Sequence, residues 1–235
     1  MSTTVRRWFQ LRRRGRDDAV SLQVAPTPPA QDFTREQVRD VTFRIRNLSP
    51  PGVGTGAGFA VGPHLIVTNR HVVAGDASVE VSTWDGRVLE VEATDVAHGH
   101  DLALLRTARE LPGSVEIAQR PARGGDLVHV VGYPLGAEFT LVRGLVVDQV
   151  EGPALGEESH VLRVKAVVLP GYSGGPILNV QGEVVGVVYA LGLATRYALA
   201  VPVSSLSAWL ERASFRHGRG GRAGRDEPPD AEGEA

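Results

Sequence analysis

The sequence predicts an all-β protein, two six-stranded antiparallel β-barrels followed by a short C-terminal helix. Three observations carry this. Between residues 36 and 212 the dominant hydrophobic period is two; short β-branched runs are separated by Gly, Pro, Asp or Asn about every ten residues; and strands do not alternate with helical patterns, as a parallel sheet would require.

The elements follow in order. Arg35–Asp40 reads as a helical turn, and Val41–Arg46 alternates apolar and polar residues as a half-buried strand does. Gly58–Val61, Leu65–Asn69, Ser78–Ser82, Val88–Ala97 and Leu102–Arg106 complete a first cluster of six strands, with a helical turn at His71–Val73. Gln119–Gly125, rich in Gly, Pro and Arg, has the composition of a connector. Beyond it come Asp126–Gly132, Phe139–Val150, Val161–Leu169, Pro176–Asn179, Glu183–Leu191 and Tyr197–Val203. Ser204–Arg212 places Leu206, Trp209 and Leu210 on one helical face. Barrel 1 is thus expected over about 40–118 and barrel 2 over about 124–204, within a body of residues 36–212.

The ends differ from the body. Residues 1–32 hold six arginines, three aspartates and three prolines without apolar periodicity, and predict a disordered basic arm ending near residue 35. Residues 213–235 run from an Arg/Gly block, Arg216–Arg225, into an acidic block ending at Glu234, and predict a disordered tail. Arg6-Arg7-Trp8-Phe9 opens like a twin-arginine export signal, but Arg12, Arg13, Arg14 and Arg16 stand where an apolar run of about 7–15 residues is needed. Val184–Ala194 is too short for a membrane span of about 20 residues. A cytoplasmic location is the expectation. The absence of cysteine among 235 residues removes disulfides, thiolate metal sites and thiol nucleophiles. A net charge of −2 argues against a body that seeks polyanions.

Three segments place reactive side chains beside apolar strands and turn glycines. His71 follows a strand ending in Thr68-Asn69, so its imidazole has the fixed support a general base needs. Asp101 opens the apolar run Leu102–Leu105, where a carboxylate needs a partner and a histidine N–H is a natural one. Ser173 lies in Pro170-Gly-Tyr-Ser-Gly-Gly-Pro176, whose glycines allow backbone N–H groups to converge before the serine oxygen.

Over about residues 40–204 these segments resemble the trypsin-like serine proteases with a double β-barrel, nearest to the bacterial HtrA-like branch. The markers are Gly56-Ala-Gly-Phe59, Thr68-Asn-Arg-His-Val-Val73, Asp101-Leu-Ala-Leu-Leu105, Gly171-Tyr-Ser-Gly-Gly-Pro176, Val184–Val187 and Leu199–Pro202, in the family's order. The resemblance implies a serine endopeptidase acting on protein or peptide substrates through an acyl-enzyme. It makes His71 the general base, Asp101 its orienting partner, Ser173 the nucleophile, and the Gly171 and Ser173 N–H groups an oxyanion hole. It needs no metal or cofactor. By analogy Val167 lies at the base of the primary specificity pocket, with Tyr189 and Leu191 on the lining strand, so small aliphatic side chains are expected there. Tyr172 replaces the aspartate that captures a new N-terminus in cleavage-activated relatives. The PDZ domain common in the HtrA branch is expected to be absent, and oligomerisation is carried only as a family possibility.

Competing readings are weaker. Gly171-x-Ser173-x-Gly175 fits the nucleophile elbow of α/β-hydrolases, but that fold places its histidine after the serine, and only His217 in the arginine-rich tail follows. His98 and His100 suggest a metal pair, yet no third ligand has fitting spacing, and solvated loop histidines are expected. Asp95 competes with Asp101 but lacks its apolar strand. Nucleic-acid binding through the Arg-rich tails is disfavoured by the adjacent acidic block. The alternative of another class is a protease-fold scaffold with weak or silent catalysis.

Overall fold

In the computed structural model the described residues are 33–49, 52–75, 78–97, 99–152, 159–192 and 197–219. Residues 1–32 of the expected basic arm lie outside them, as do His98 and the acidic tail, whereas the expected arm's last residues, Thr34 and Arg35, belong to the start of a helix. A capping box opens the chain: the Thr34 hydroxyl accepts from the Gln37 N–H and the Gln37 side chain accepts from the Thr34 N–H, starting helix α1, Arg35–Asp40.

The first sheet contains β1 (Thr42–Ser49), β2 (Gly52–Gly62), β3 (Leu65–Thr68), β4 (Ser78–Ser82), β5 (Val88–Leu89), β6 (Val91–Val96) and β7 (Ala103–Thr107), in the order β5-β4-β1-β2-β3-β7-β6. Helix α2, Arg70–Val73, follows β3. Six strands were expected and seven are found, because the run Val88–Ala97 divides at Glu90, its first part pairing with β4 and its second with β7. Among the described residues no ladder joins β5 to β6, so this half is a curled sheet around Phe43, Ile45, Ile66, Val81 and Leu105. The second half is a closed barrel of β8 (Leu127–Gly132), β9 (Thr140–Gly152), β10 (Ser159–Lys165), β11 (Pro176–Leu178), β12 (Val184–Gly192) and β13 (Tyr197–Pro202), ordered β10-β13-β12-β11-β8-β9. Its six antiparallel strands agree with the expectation.

Several strands bury both faces, which explains their nearly continuous apolar runs. On β7 Ala103 and Leu105 enter the first core, whereas Leu104 turns to a central cluster; on β11 Ile177 enters the barrel and Leu178 the central cluster. That central cluster, with Phe59, Val67, Leu102, Val131, Tyr133, Val187, Leu206 and Trp209, packs the two halves together. The connector is pinned at both ends: just before it Ala118 N–H donates to Val184 O at 3.0 Å, and at its end Gly125 N–H donates to Val146 O at 2.9 Å. Helix α3 spans Val203–Arg219, past the expected end at 212, because buried Ala213 continues the face of Leu206 and Trp209. Among the described residues no helix is long and apolar enough to cross a membrane.

Tyr133 ties the halves by donating its hydroxyl to the Thr42 carbonyl at 2.8 Å, with both groups buried. Burial pushes its phenol well above the ordinary value, outweighing the nearby Arg44 and Arg39 charges. The unfolded chain therefore loses this proton above about pH 10 while the folded one keeps it. The associated stabilisation is complete below that pH and lost as pH rises past it. Tyr133→Phe should cost about 1 kcal/mol, or about 2–4 °C in Tm, and flatten the alkaline loss of stability, which thermal melts from pH 7 to 11 would show.

Candidate active site

His71 is held by the local chain. Strand β3 ends at Thr68, whose hydroxyl donates to the Ala57 carbonyl at 2.7 Å. Asn69 then turns the chain into α2, where His71 is the second residue and Val72 and Val73 are buried anchors. Asn47 Nδ2 donates to the carbonyls of Val72 and Ala74 at 3.1 and 2.9 Å, so the far end of this short helix is also satisfied.

Asp101, 3% exposed, lies just before β7. Its Oδ1 accepts from the His71 backbone N–H at 2.9 Å and its Oδ2 faces His71 Nδ1 at 2.5 Å. The Asn69 amide donates to the Asp101 carbonyl at 2.7 Å. A carboxylate this deep is expensive unless hydrogen-bonded, and here both oxygens are engaged. The His71 side chain keeps 47% of its surface exposed, so the ring is gripped on one edge and open on the other.

Ser173 sits between β10 and β11 on a turn whose glycines are enforced by close backbone approach. A Cβ on Gly171, at φ +105°, would lie 2.1 Å from the Tyr133 carbonyl oxygen; one on Gly174, at φ +83°, would lie 2.2 Å from that of Ala57. Backbone bonds fasten the turn on three sides: Leu135 N–H to Pro170 O at 2.6 Å, Gly174 N–H to Val188 O at 2.7 Å, and Ala57 N–H to Ser173 O at 2.7 Å. The last joins the serine turn to β2, beside Val72 of the histidine helix. The N–H groups of Tyr172, Gly174 and Gly175 are all bonded, whereas those of Gly171 and Ser173 have no partner among the described residues. The Ser173 hydroxyl donates to the Tyr189 carbonyl at a long 3.5 Å and makes no hydrogen bond to His71.

Of the residues expected to form a pocket, Tyr189 is buried, and burial together with the Asp101 charge raises its phenol above the ordinary value. Leu191 is partly exposed and Val167 is 82% exposed, on the segment leading to Pro170. His100 is partly buried near Arg212, and both effects lower its imidazole below the ordinary value. Among the described residues no three His, Asp or Glu side chains gather as a metal site would need. Sequence reasoning missed Asn69, whose place before a helical turn reads as an ordinary cap, and Thr68, whose hydroxyl fixes the end of β3.

Comparison with known proteins bears on the family and the fold. A family model described as "Trypsin-like peptidase domain" matches residues 56–187. The serine protease Rv3671c of Mycobacterium tuberculosis is 35% identical over 161 residues, covering 64% of this chain and 40% of that protein. The putative serine protease HhoB of Synechocystis is 33% identical, covering 68% of this chain and 40% of the relative. The chain thus spans about two fifths of the length of these relatives. The crystal structure of the Rv3671c protease in its active form superposes with a TM-score of 0.70 at 27% identity, covering 82% of this chain and 93% of that one. Its matched domain, its fold and its serine protease relatives of the HtrA type make this chain a member of the trypsin-like peptidase family.

Proposed function

We propose that this chain is a serine endopeptidase that hydrolyses peptide bonds through an acyl-enzyme on Ser173. The observation that carries the reading is the double grip of buried Asp101 on His71. With its Nδ1–H committed to Asp101, the ring keeps Nε2 as the acceptor on its open side. His71 Nε2 takes the Ser173 hydroxyl proton as Oγ attacks the scissile carbonyl, and the carbonyl π electrons move onto oxygen. The unengaged N–H groups of Gly171 and Ser173 are the donors for that oxyanion. Collapse expels the amine, which takes the proton from His71, and water then repeats the sequence to release the acid. Asp101 stays ionised throughout and supports the imidazolium.

Covalent labelling with a serine-directed phosphonate tests this. The folded wild type should be labelled and Ser173→Ala should not; an unlabelled wild type would sink the reading. A second reading, a binding module with silent catalysis, draws on one observation, the Ser173 hydroxyl turned toward Tyr189 rather than His71. Hydrogen bonds of catalytic groups tighten when substrate arrives, so the same labelling separates the two.

For specificity, the three residues that the family resemblance assigns to the primary pocket, Val167, Tyr189 and Leu191, include no acidic side chain. Peptides with Val or Ala before the cut should be hydrolysed at least about tenfold faster than those with Arg, whose desolvated charge has no partner. A library of fluorogenic peptides reads this directly, and a preference for Arg would refute it.

A further inference from the structure

Asn69 has the extended backbone of a helix N-cap, φ −88° and ψ 149°, but its side chain caps nothing. An asparagine there ordinarily accepts from the N–H of the second or third helical residue. The second residue is His71, and its N–H goes to Asp101 Oδ1 instead. The Asn69 amide, 0% exposed, reaches away from its own helix to the Asp101 carbonyl at 2.7 Å. Its orientation is forced, because a carbonyl oxygen can only accept and so must face the NH₂ group. The remaining Asn69 Oδ1 is buried with no partner among the described residues. The local arrangement therefore gives up a cap and leaves an acceptor unpaired in order to make a contact 32 residues away.

We propose that Asn69 is a positioning residue, which clamps the backbone of Asp101 to the turn that carries His71 so that acid and base move as one body. The two bonds to the carboxylate fix the Asp101 side chain, but that side chain still turns about two torsions from its own backbone. The Asn69 bond removes this slack, because residues 69 and 71 belong to the same rigid turn. Asp101 in return becomes the cap of α2 from the segment just before β7, so orientation of the base and integrity of its helix depend on one carboxylate.

The inference rests on the proposed catalytic roles of His71 and Asp101, and its test separates the two ideas. Asn69→Ala removes the clamp, and Asn69→Leu removes it while filling the space. Both should lower kcat by about 10- to 100-fold with KM nearly unchanged, as small misplacements of catalytic groups do. Both should also shift or broaden the low-field proton signal of His71 Nδ1–H, assigned by its loss in His71→Ala. The proton signal requires no turnover, so a wild type that neither hydrolyses peptides nor takes phosphonate would sink the proposed function and still leave Asn69 decidable. An unchanged signal, unchanged kcat, or failure of both variants to fold would overturn the clamp.

Discussion

Asp101→Asn should lower kcat for peptide hydrolysis by about 10⁴-fold, the scale on which this substitution acts in trypsin-like enzymes, while leaving the fold intact. Two different demands meet on this one side chain. The His71 backbone N–H can only donate, so the asparagine must present its carbonyl oxygen where Oδ1 now lies. Its NH₂ group then faces His71 Nδ1, the position at which Oδ2 now accepts. Nδ1 must become the acceptor, the ring proton moves to Nε2, and the nitrogen that should take the Ser173 proton already carries one. Because the cap on α2 survives, the melting temperature should stay near the wild-type value. Asp101→Ala removes the cap as well and should lose about a further 1 kcal/mol of stability. Steady-state hydrolysis and thermal melts of both variants check this pair of outcomes. A loss of less than tenfold for Asp101→Asn would mean that the carboxylate does not set the tautomer.

That the three reactive segments were legible in the sequence has a local cause. Each is a short run whose residue order alone marks a supported histidine, an acid opening an apolar strand, and a serine among glycines. Their spatial pairing was reached through family resemblance, since His71 and Asp101 are 30 residues apart and nothing in either segment names the other. Strand periodicity gave both halves of the fold, but it could not show that Val88–Ala97 splits between two neighbours, which depends on partners distant in sequence. The expected strand began only at Gly58, yet Gly52, Gly54 and Gly56 continue the ladder with β1, and a Cβ at Gly58 would lie 2.8 Å from Ile66 Cγ2. Here glycine marks crowding, not freedom. Asn69 was illegible for a related reason: the sequence shows a capping residue in a capping position, and only the fold shows that the cap comes from Asp101.

The same distinction between crowding and conformational freedom yields the second large effect, at Gly171. Gly171→Ala meets both obstacles at once, a φ of +105° and a Cβ 2.1 Å from the Tyr133 carbonyl oxygen, which is backbone and cannot swing aside. The turn must move, and with it the Gly171 N–H that the mechanism aims at the oxyanion. Loss of such a donor costs about 10²–10³ in kcat, and displacement of the Leu135 and Tyr133 anchors adds to that. Gly86→Ala supplies the control. Its φ is +88°, but a Cβ there meets nothing within 4 Å, so it should pay only the left-handed conformational cost of about 1–2 kcal/mol and keep its activity. The His71 Nδ1–H signal should persist in Gly171→Ala, because the His71–Asp101 pair hangs from the first sheet and from α2 rather than from the serine turn. Phosphonate labelling rates and the proton signal, measured on both variants, decide the matter. Equal labelling of Gly171→Ala and wild type would show that the Gly171 N–H is not an oxyanion donor, whatever the turn has done to accommodate the methyl group.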